Sequence, residues 1–170
     1  MYSKEKWMFE LTKVNSVELG SSEILQKGVF LWIWQPENTP PHLGISMDGK
    51  YFSLQYEKMQ FELSVQNIFE IIERKQISIM WLQIQVENHN VRDIFLNYVS
   101  CSINNCSCIQ PILDIFSVSK NGAILFDLLE SLESKRILGK LFHKNLPKKF
   151  THINPYTRED VTEHLLNLQT

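Results

Sequence analysis

The chemistry available to this chain centres on one histidine at the head of a hairpin and on a tight group of cysteines. His42 opens the stretch HLGISMDGKYFSLQY, and Cys101, Cys106 and Cys108 fall within CSINNCSCIQP. A thiol becomes a nucleophile when a neighbouring imidazole takes its proton, and a polar group that holds the imidazole fixes which ring nitrogen is free to do so. Two other readings of the thiols stay open. Joined by His89 they could ligate zinc, although their C-x4-C-x-C spacing departs from the C-x2–4-C pairs of structural zinc sites and there is no second pair. They could equally be small buried hydrophobes, a common use of cysteine.

The elements that would position these groups can be read locally. Asp48-Gly49, flanked by Leu43–Met47 and Tyr51–Tyr56, is a strong two-residue hairpin signal. Such a turn pairs Met47 with Lys50. Counting outward sets Ser46 against Tyr51, Ile45 against Phe52, Gly44 against Ser53, Leu43 against Leu54 and His42 against Gln55. Side chains alternate along a strand, so Leu43, Ile45, Met47, Phe52 and Leu54 share an apolar core face. His42 and Gln55 share the other face, where a cross-strand hydrogen bond would orient the ring and Gly44 would leave room for a substrate or a neighbouring backbone. The alternative is a histidine without a role on a solvated sheet face. Near the cysteines, Pro111 marks a helix start, because proline is tolerated only in a first turn. That places Cys108 at the first or capping position and Cys106 in the Asn-rich loop before it.

The remaining elements follow from pattern. Val29–Trp34 (VFLWIW) is apolar on both faces and reads as a central, covered strand, with its tryptophans as packing groups rather than a ligand cage. Val65–Lys75 is a helix behind a Ser64 cap, Ile77–Val86 a strand, and Val91–Val99, Ile109–Phe116, Ala123–Leu132 and Glu159–Leu168 are helices, with a turn ending near Gly139. Strands come first and helices later, which predicts a single α+β domain over residues 1–170 with an antiparallel sheet packed by helices.

Composition narrows the function classes. The chain has 170 residues, 44% hydrophobic, and a net charge of −2. Six of its seventeen cations fall between Ser134 and Phe150, a segment without an acid, which leaves eleven cations against nineteen acids elsewhere. Lys135, Arg136, Lys144, Lys148 and Lys149 are therefore candidates for gripping an acidic partner such as RNA, a carrier protein or a phosphorylated ligand, the alternative being an ordinary solvated segment. No RRM, KH or zinc-knuckle signature supports nucleic acid. There is no GxGxxG or P-loop, so no nucleotide cofactor is expected, and neither a metal nor any other cofactor is assigned. No apolar run approaches the roughly 18 residues of a membrane span. With no secretory h-region at the N-terminus and an odd number of cysteines, the expected location is cytoplasmic. No role is assigned to His89, His143, His152 or His164.

The order of these motifs resembles the circularly permuted NlpC/P60 group of papain-like proteins, which includes the YiiX-like amidases, the lecithin retinol acyltransferase-like enzymes and the PPPDE isopeptidases. His42-Leu43-Gly44-Ile45 looks like the group's H-x-G-[IV] strand, Asp48-Gly49-Lys50-Tyr51-Phe52 like its hairpin, and Asn105-Cys106-Ser107-Cys108 like the stretch carrying its late nucleophile. The resemblance implies a permuted papain-like core over about residues 28–117, with residues 118–170 as a helical extension. It implies Cys108 as nucleophile (Cys106 the alternative), His42 as base, and Gln55 as the third polar residue (Ser53 the alternative). The activity implied is that of a cysteine hydrolase or acyltransferase on an amide, isopeptide or ester bond in a small molecule or peptide. A non-catalytic binding module of the same fold, working through residues 135–149, is the competing expectation.

Overall fold

The computed structural model describes residues 6–7, 10–56, 58–86, 90–98, 107–118 and 123–168. Seven strands and five α-helices follow in the order β1 (Val17–Glu18), β2 (Val29–Trp34), β3 (His42–Met47), β4 (Lys50–Leu54), β5 (Met59–Ser64), α1 (Val65–Lys75), β6 (Ile79–Ile84), α2 (Val91–Leu96), α3 (Gln110–Ile115), α4 (Leu125–Ser134), β7 (Leu138–Lys144) and α5 (Arg158–Asn167). They build an α+β structure around one sheet of order β1-β7-β6-β2-β3-β4-β5.

The hairpin forms in the expected register. Asp48 and Gly49 take φ of 47° and 78°, positive at both positions as a type I′ turn demands. Met47 then pairs with Lys50, Ser46 with Tyr51 and Ile45 with Phe52. The Asp48 carboxylate accepts from the Gly28 N–H at 2.9 Å, which ties the turn to the start of β2. β2 lies between β3 and β6, antiparallel to both, and sets Trp34 opposite His42.

The sheet is mixed rather than antiparallel throughout. β1 runs parallel to β7, while the other pairings are antiparallel. A hairpin forces its strands to run in opposite directions, but two segments joined by a long excursion are under no such constraint. β7 itself falls inside the segment read as a helical extension, and Gly139 lies within it rather than ending a turn. Its sequence LGKLFHK has no clean alternation, because Leu141 packs on one sheet face and its neighbour Phe142 on the other.

Both faces of the sheet are covered. Leu31, Ile33, Leu43, Ile45, Phe52, Leu54, Met80 and Leu82 join Phe95 of α2, Ile112 and Leu113 of α3 and Leu129 of α4 in one aliphatic core. Phe30, Trp32, Tyr51, Trp81 and Phe142 pack beneath Val65, Ile68, Phe69 and Ile72 of α1 in a second, aromatic core. The hairpin's polar side chains therefore lie inside the molecule. Ser46 and Ser53 are fully buried. The room expected beside Gly44 is filled by the Tyr51 ring: a Cβ at position 44 would stand 2.2 Å from the Tyr51 hydroxyl oxygen.

Capping explains where the helices begin. The Ser64 hydroxyl accepts from Asn67 N–H at 3.3 Å at the head of α1. At α4 the Asp127 carboxylate accepts from Ile124 N–H at 2.9 Å. At α5, Thr157 and Asp160 form a reciprocal box, with Asp160 N–H donating to Thr157 Oγ1 at 3.3 Å and Thr157 N–H to Asp160 Oδ2 at 2.6 Å. Among the described residues no helix is long and apolar enough to cross a membrane.

Candidate functional site

At the end of the sheet where β3 begins and β4 stops, the surface opens into a cleft of about 610 Å³, mouth included. Three stretches of chain distant in sequence converge on it. The strand ends supply Pro41, His42, Leu43, Leu54, Gln55 and Tyr56, the approach to α3 supplies Ser107, Cys108 and Ile109, and α5 with the residues before it supplies Tyr156, Arg158, Val161, His164, Leu165 and Leu168. Ile124, just ahead of α4, closes part of the wall.

His42 is the first residue of β3 and is held there by pairing opposite Trp34. The residue is half-buried, and its Nε2 is buried without a hydrogen-bond partner among the described residues. The expected bond to Gln55 is therefore not made at that atom. Burial, followed by the neighbouring charge of His164, brings the imidazole down from the usual 6.5 to about 4. It is neutral at pH 7, the form in which a ring nitrogen accepts a proton.

Cys108 is half-buried in the turn leading into α3. Gln110 N–H donates to Ser107 carbonyl at 3.0 Å and Leu113 N–H to Ile109 carbonyl at 2.9 Å, so the backbone is already winding as it passes the thiol. Ile109 occupies the cap position and Pro111 the first turn, which sets Cys108 one residue ahead of its expected place. Pro111 thus marks the helix start correctly, to within the one residue by which such boundaries commonly shift.

The cleft thus brings together His42, Cys108 and Gln55. Gln55 lies just beyond the end of β4, its N–H donating to Lys58 carbonyl at 2.8 Å in the turn to β5. Ser53, the alternative third residue, is fully buried, donates to Gln60 Oε1 at 2.8 Å and does not line the cleft. Cys101, Cys106 and His89 lie outside the described residues, so the alternative nucleophile and the zinc reading fall there too. Among the described residues no three His, Cys, Asp or Glu side chains group as metal ligands would.

None of the five basic residues considered for partner binding lines the cleft. Lys144 forms an ion pair with Glu73 at 3.0 Å, donates to Leu19 carbonyl at 3.0 Å and sits 5.1 Å from the Phe69 ring centroid. Lys135 donates to the Phe116 carbonyl, and Arg136 takes a φ of 57° in the turn after α4. Lys148 and Lys149 are exposed. Two of the five cations therefore already serve the fold.

Sequence reasoning misses Ser107, Tyr156, Arg158 and His164. Tyr156 fixes the α5 approach to α4: its hydroxyl accepts from Leu125 N–H at 3.2 Å, and burial pushes the phenol above its usual range. Arg158 donates from Nη1 to Ser107 Oγ at 3.5 Å, which brings a guanidinium beside the residue preceding the thiol. His164 had a signal. It shares the i, i+3, i+4, i+7 stripe of Val161, Leu165 and Leu168, so its face was legible although what that face meets was not.

A thiol and a neutral imidazole in one largely apolar cleft are the minimal parts of nucleophilic acyl transfer. No protein-family model matches the chain, and neither a curated protein nor a solved structure matches it.

Proposed function

We propose that this protein is a cysteine hydrolase or acyltransferase with a permuted papain-like core, acting on an amide, isopeptide or ester bond through Cys108 and His42. The observation that carries the reading is that a half-buried thiol and the buried, unpartnered Nε2 of His42 both line one cleft. A buried polar atom without a partner costs about 1–3 kcal/mol, and such atoms are retained where a ligand or a reacting group completes them. The order of histidine strand, hairpin and later thiol before a short helix supports the likeness to the NlpC/P60 group.

In this reading Cys108 attacks the acyl carbon while His42 takes the thiol proton. His42 then returns that proton to the leaving nitrogen or oxygen, and water or a second acceptor releases the acyl group. Gln55, in the lining of the same cleft, orients the ring once a substrate excludes water. Its low basicity leaves His42 neutral at rest, so proton transfer accompanies attack rather than preceding it.

The test is alkylation by iodoacetamide at neutral pH, followed at Cys108 by peptide mass spectrometry. The thiol of the intact chain reacts faster than a free cysteine derivative, and His42→Ala slows it. An alkylation rate that is no faster than the free thiol and indifferent to His42→Ala rejects the reading.

A further inference from the structure

The proposed chemistry leaves Arg158 without a task. It is the only permanently charged side chain among the described residues lining the cleft, where His42 and His164 are the other groups able to take a proton. No carboxylate pairs with it among the described residues. Its hydrogen bond to Ser107 is long, at 3.5 Å, and uses one of five N–H donors, so the guanidinium fork remains available. That fork matches a carboxylate in a two-point contact. An unpaired surface arginine alone would carry little weight. This one shares its cleft with a second unfilled group of independent origin, the buried Nε2 of His42.

The spacing of these groups restricts the ligand. Arg158 reaches the residue immediately before Cys108, so the anion and the reacting carbonyl must lie close together in the same molecule. One permanent cation among the described lining residues, beside the titratable imidazoles of His42 and His164, matches a monoanion better than a doubly charged phosphate. Leu54, Ile124 and Leu165 give the rest of the cleft an apolar wall. An apolar body, an amide and a carboxylate one carbon from the amide nitrogen describe an N-acyl amino acid.

We infer that the cleft selects small N-acyl amino acids, with the acyl group against Leu54, Ile124 and Leu165, the carboxylate on Arg158 and the amide at Cys108. The inference rests on the Cys108–His42 reading for its chemistry, though not for its binding. The Cys108 sulfur bonds to the amide carbon as its proton passes to His42. The C–N bond breaks as that proton moves to the departing nitrogen, releasing the amino acid. Water then attacks the thioester, His42 relays its proton back to sulfur as the C–S bond breaks, and a carboxylic acid leaves. Arg158 is a specificity residue in this scheme, since it holds the substrate's anion and takes no part in proton transfer.

The experiment compares N-octanoyl-glycine with its neutral analogue N-octanoyl-glycinamide and with N-octanoyl-aminomethylphosphonate. Binding to the full chain carrying Cys108→Ala is read by calorimetry, and glycine release by the unaltered chain is read by mass spectrometry. The acid binds roughly 10- to 100-fold tighter than the amide, as expected of a hydrogen-bonded charge. Arg158→Gln in the same background brings that ratio close to one, and Arg158→Lys keeps part of it, with melting curves showing that each variant folds. Equal binding of acid and amide, or a ratio unmoved by Arg158→Gln, overturns the inference, as does tighter binding of the phosphonate. Selective binding without glycine release upholds anion selection and defeats the Cys108–His42 chemistry. Release of the acid and amide products at equal rates upholds that chemistry and defeats the role of Arg158.

Discussion

His42 and Trp81 each bury a ring nitrogen without a hydrogen-bond partner among the described residues, yet they occupy opposite kinds of surroundings. Trp81 lies fully buried in the aromatic core, edge-on to Trp32 at 5.5 Å and stacked on Phe69 at 5.9 Å. Nothing can reach it there, and its orphaned N–H is a plain cost to the fold. His42 lies at the strand end, where the sheet gives way to a cleft. In the proposed chemistry that same electrostatic deficit is what a substrate or the thiol fills. The neighbouring indoles sharpen the contrast. Trp32 Nε1 donates to Ser46 Oγ at 2.8 Å and Trp34 Nε1 to the Tyr51 hydroxyl at 2.7 Å, so the aromatic face does satisfy its polar tips where geometry allows.

The sharpest way to break this comparison is to remove the groups to which the proposed acyl transfer assigns the chemistry, at the open end. Cys108→Ala abolishes acyl transfer, and His42→Ala lowers kcat/KM by roughly 10²- to 10⁴-fold, while chemical denaturation shows both variants folded. At the sealed end the effects are on stability. Gly44→Ala drives a methyl into the Tyr51 ring and destabilises by about 1–3 kcal/mol or more, read from the urea midpoint. Trp32→Phe strands the Ser46 hydroxyl whereas Trp81→Phe removes an orphan. The first is therefore the more destabilising, by about 1 kcal/mol, in paired urea titrations. If the two cost the same, the indole–serine bond adds nothing to the aromatic core.

Acidification separates the two ends again. The folded His42 ring titrates near 4 and the unfolded one near 6.5, so between those values the unfolded chain binds the extra proton. Stability therefore falls as pH drops from about 6.5 to about 4 and is unaffected by this group above that window. His143, whose burial also lowers its basicity, acts in the same direction, so the His42 share is the difference between the intact chain and His42→Gln. If the proposed chemistry holds, the acid limb of kcat/KM follows the same group and lies near pH 4 rather than 6.5. The smallest effect is expected from Ser64→Ala, which removes the α1 cap and costs about 1 kcal/mol without touching either end of the comparison.

Local chemistry made part of this molecule legible in advance. Asp48-Gly49 dictated the turn and hence the pairing of β3 with β4, VFLWIW announced a strand covered on both sides, and Ser64 marked the start of α1. β5 was obscured because Glu62 breaks the extended backbone with a φ of 52°, and β7 because lysines interrupt a strand whose apolar residues serve two cores. His42, Gln55 and Cys108 were singled out from the sequence and do line one cleft. The rest of the lining was not legible, since Tyr156, Arg158 and His164 arrive from α5 and the residues just before it, more than forty residues beyond Cys108. Burial of the hairpin's polar face was equally hidden, because the cover comes from α1 and from aromatic residues of β2 and β6.

The hydrogen bond from Leu125 to Tyr156 has a bearing on how the molecule is made. It anchors the segment that furnishes one wall of the cleft, and that segment is synthesised after all seven strands of the described residues. The strands and the Cys108 turn thus precede, in chain order, the segment that closes the cleft around them. Confinement of any guest waits for α5 and the residues before it to dock, so in the proposed chemistry choice among substrates needs that segment in place while the strands alone do not supply it.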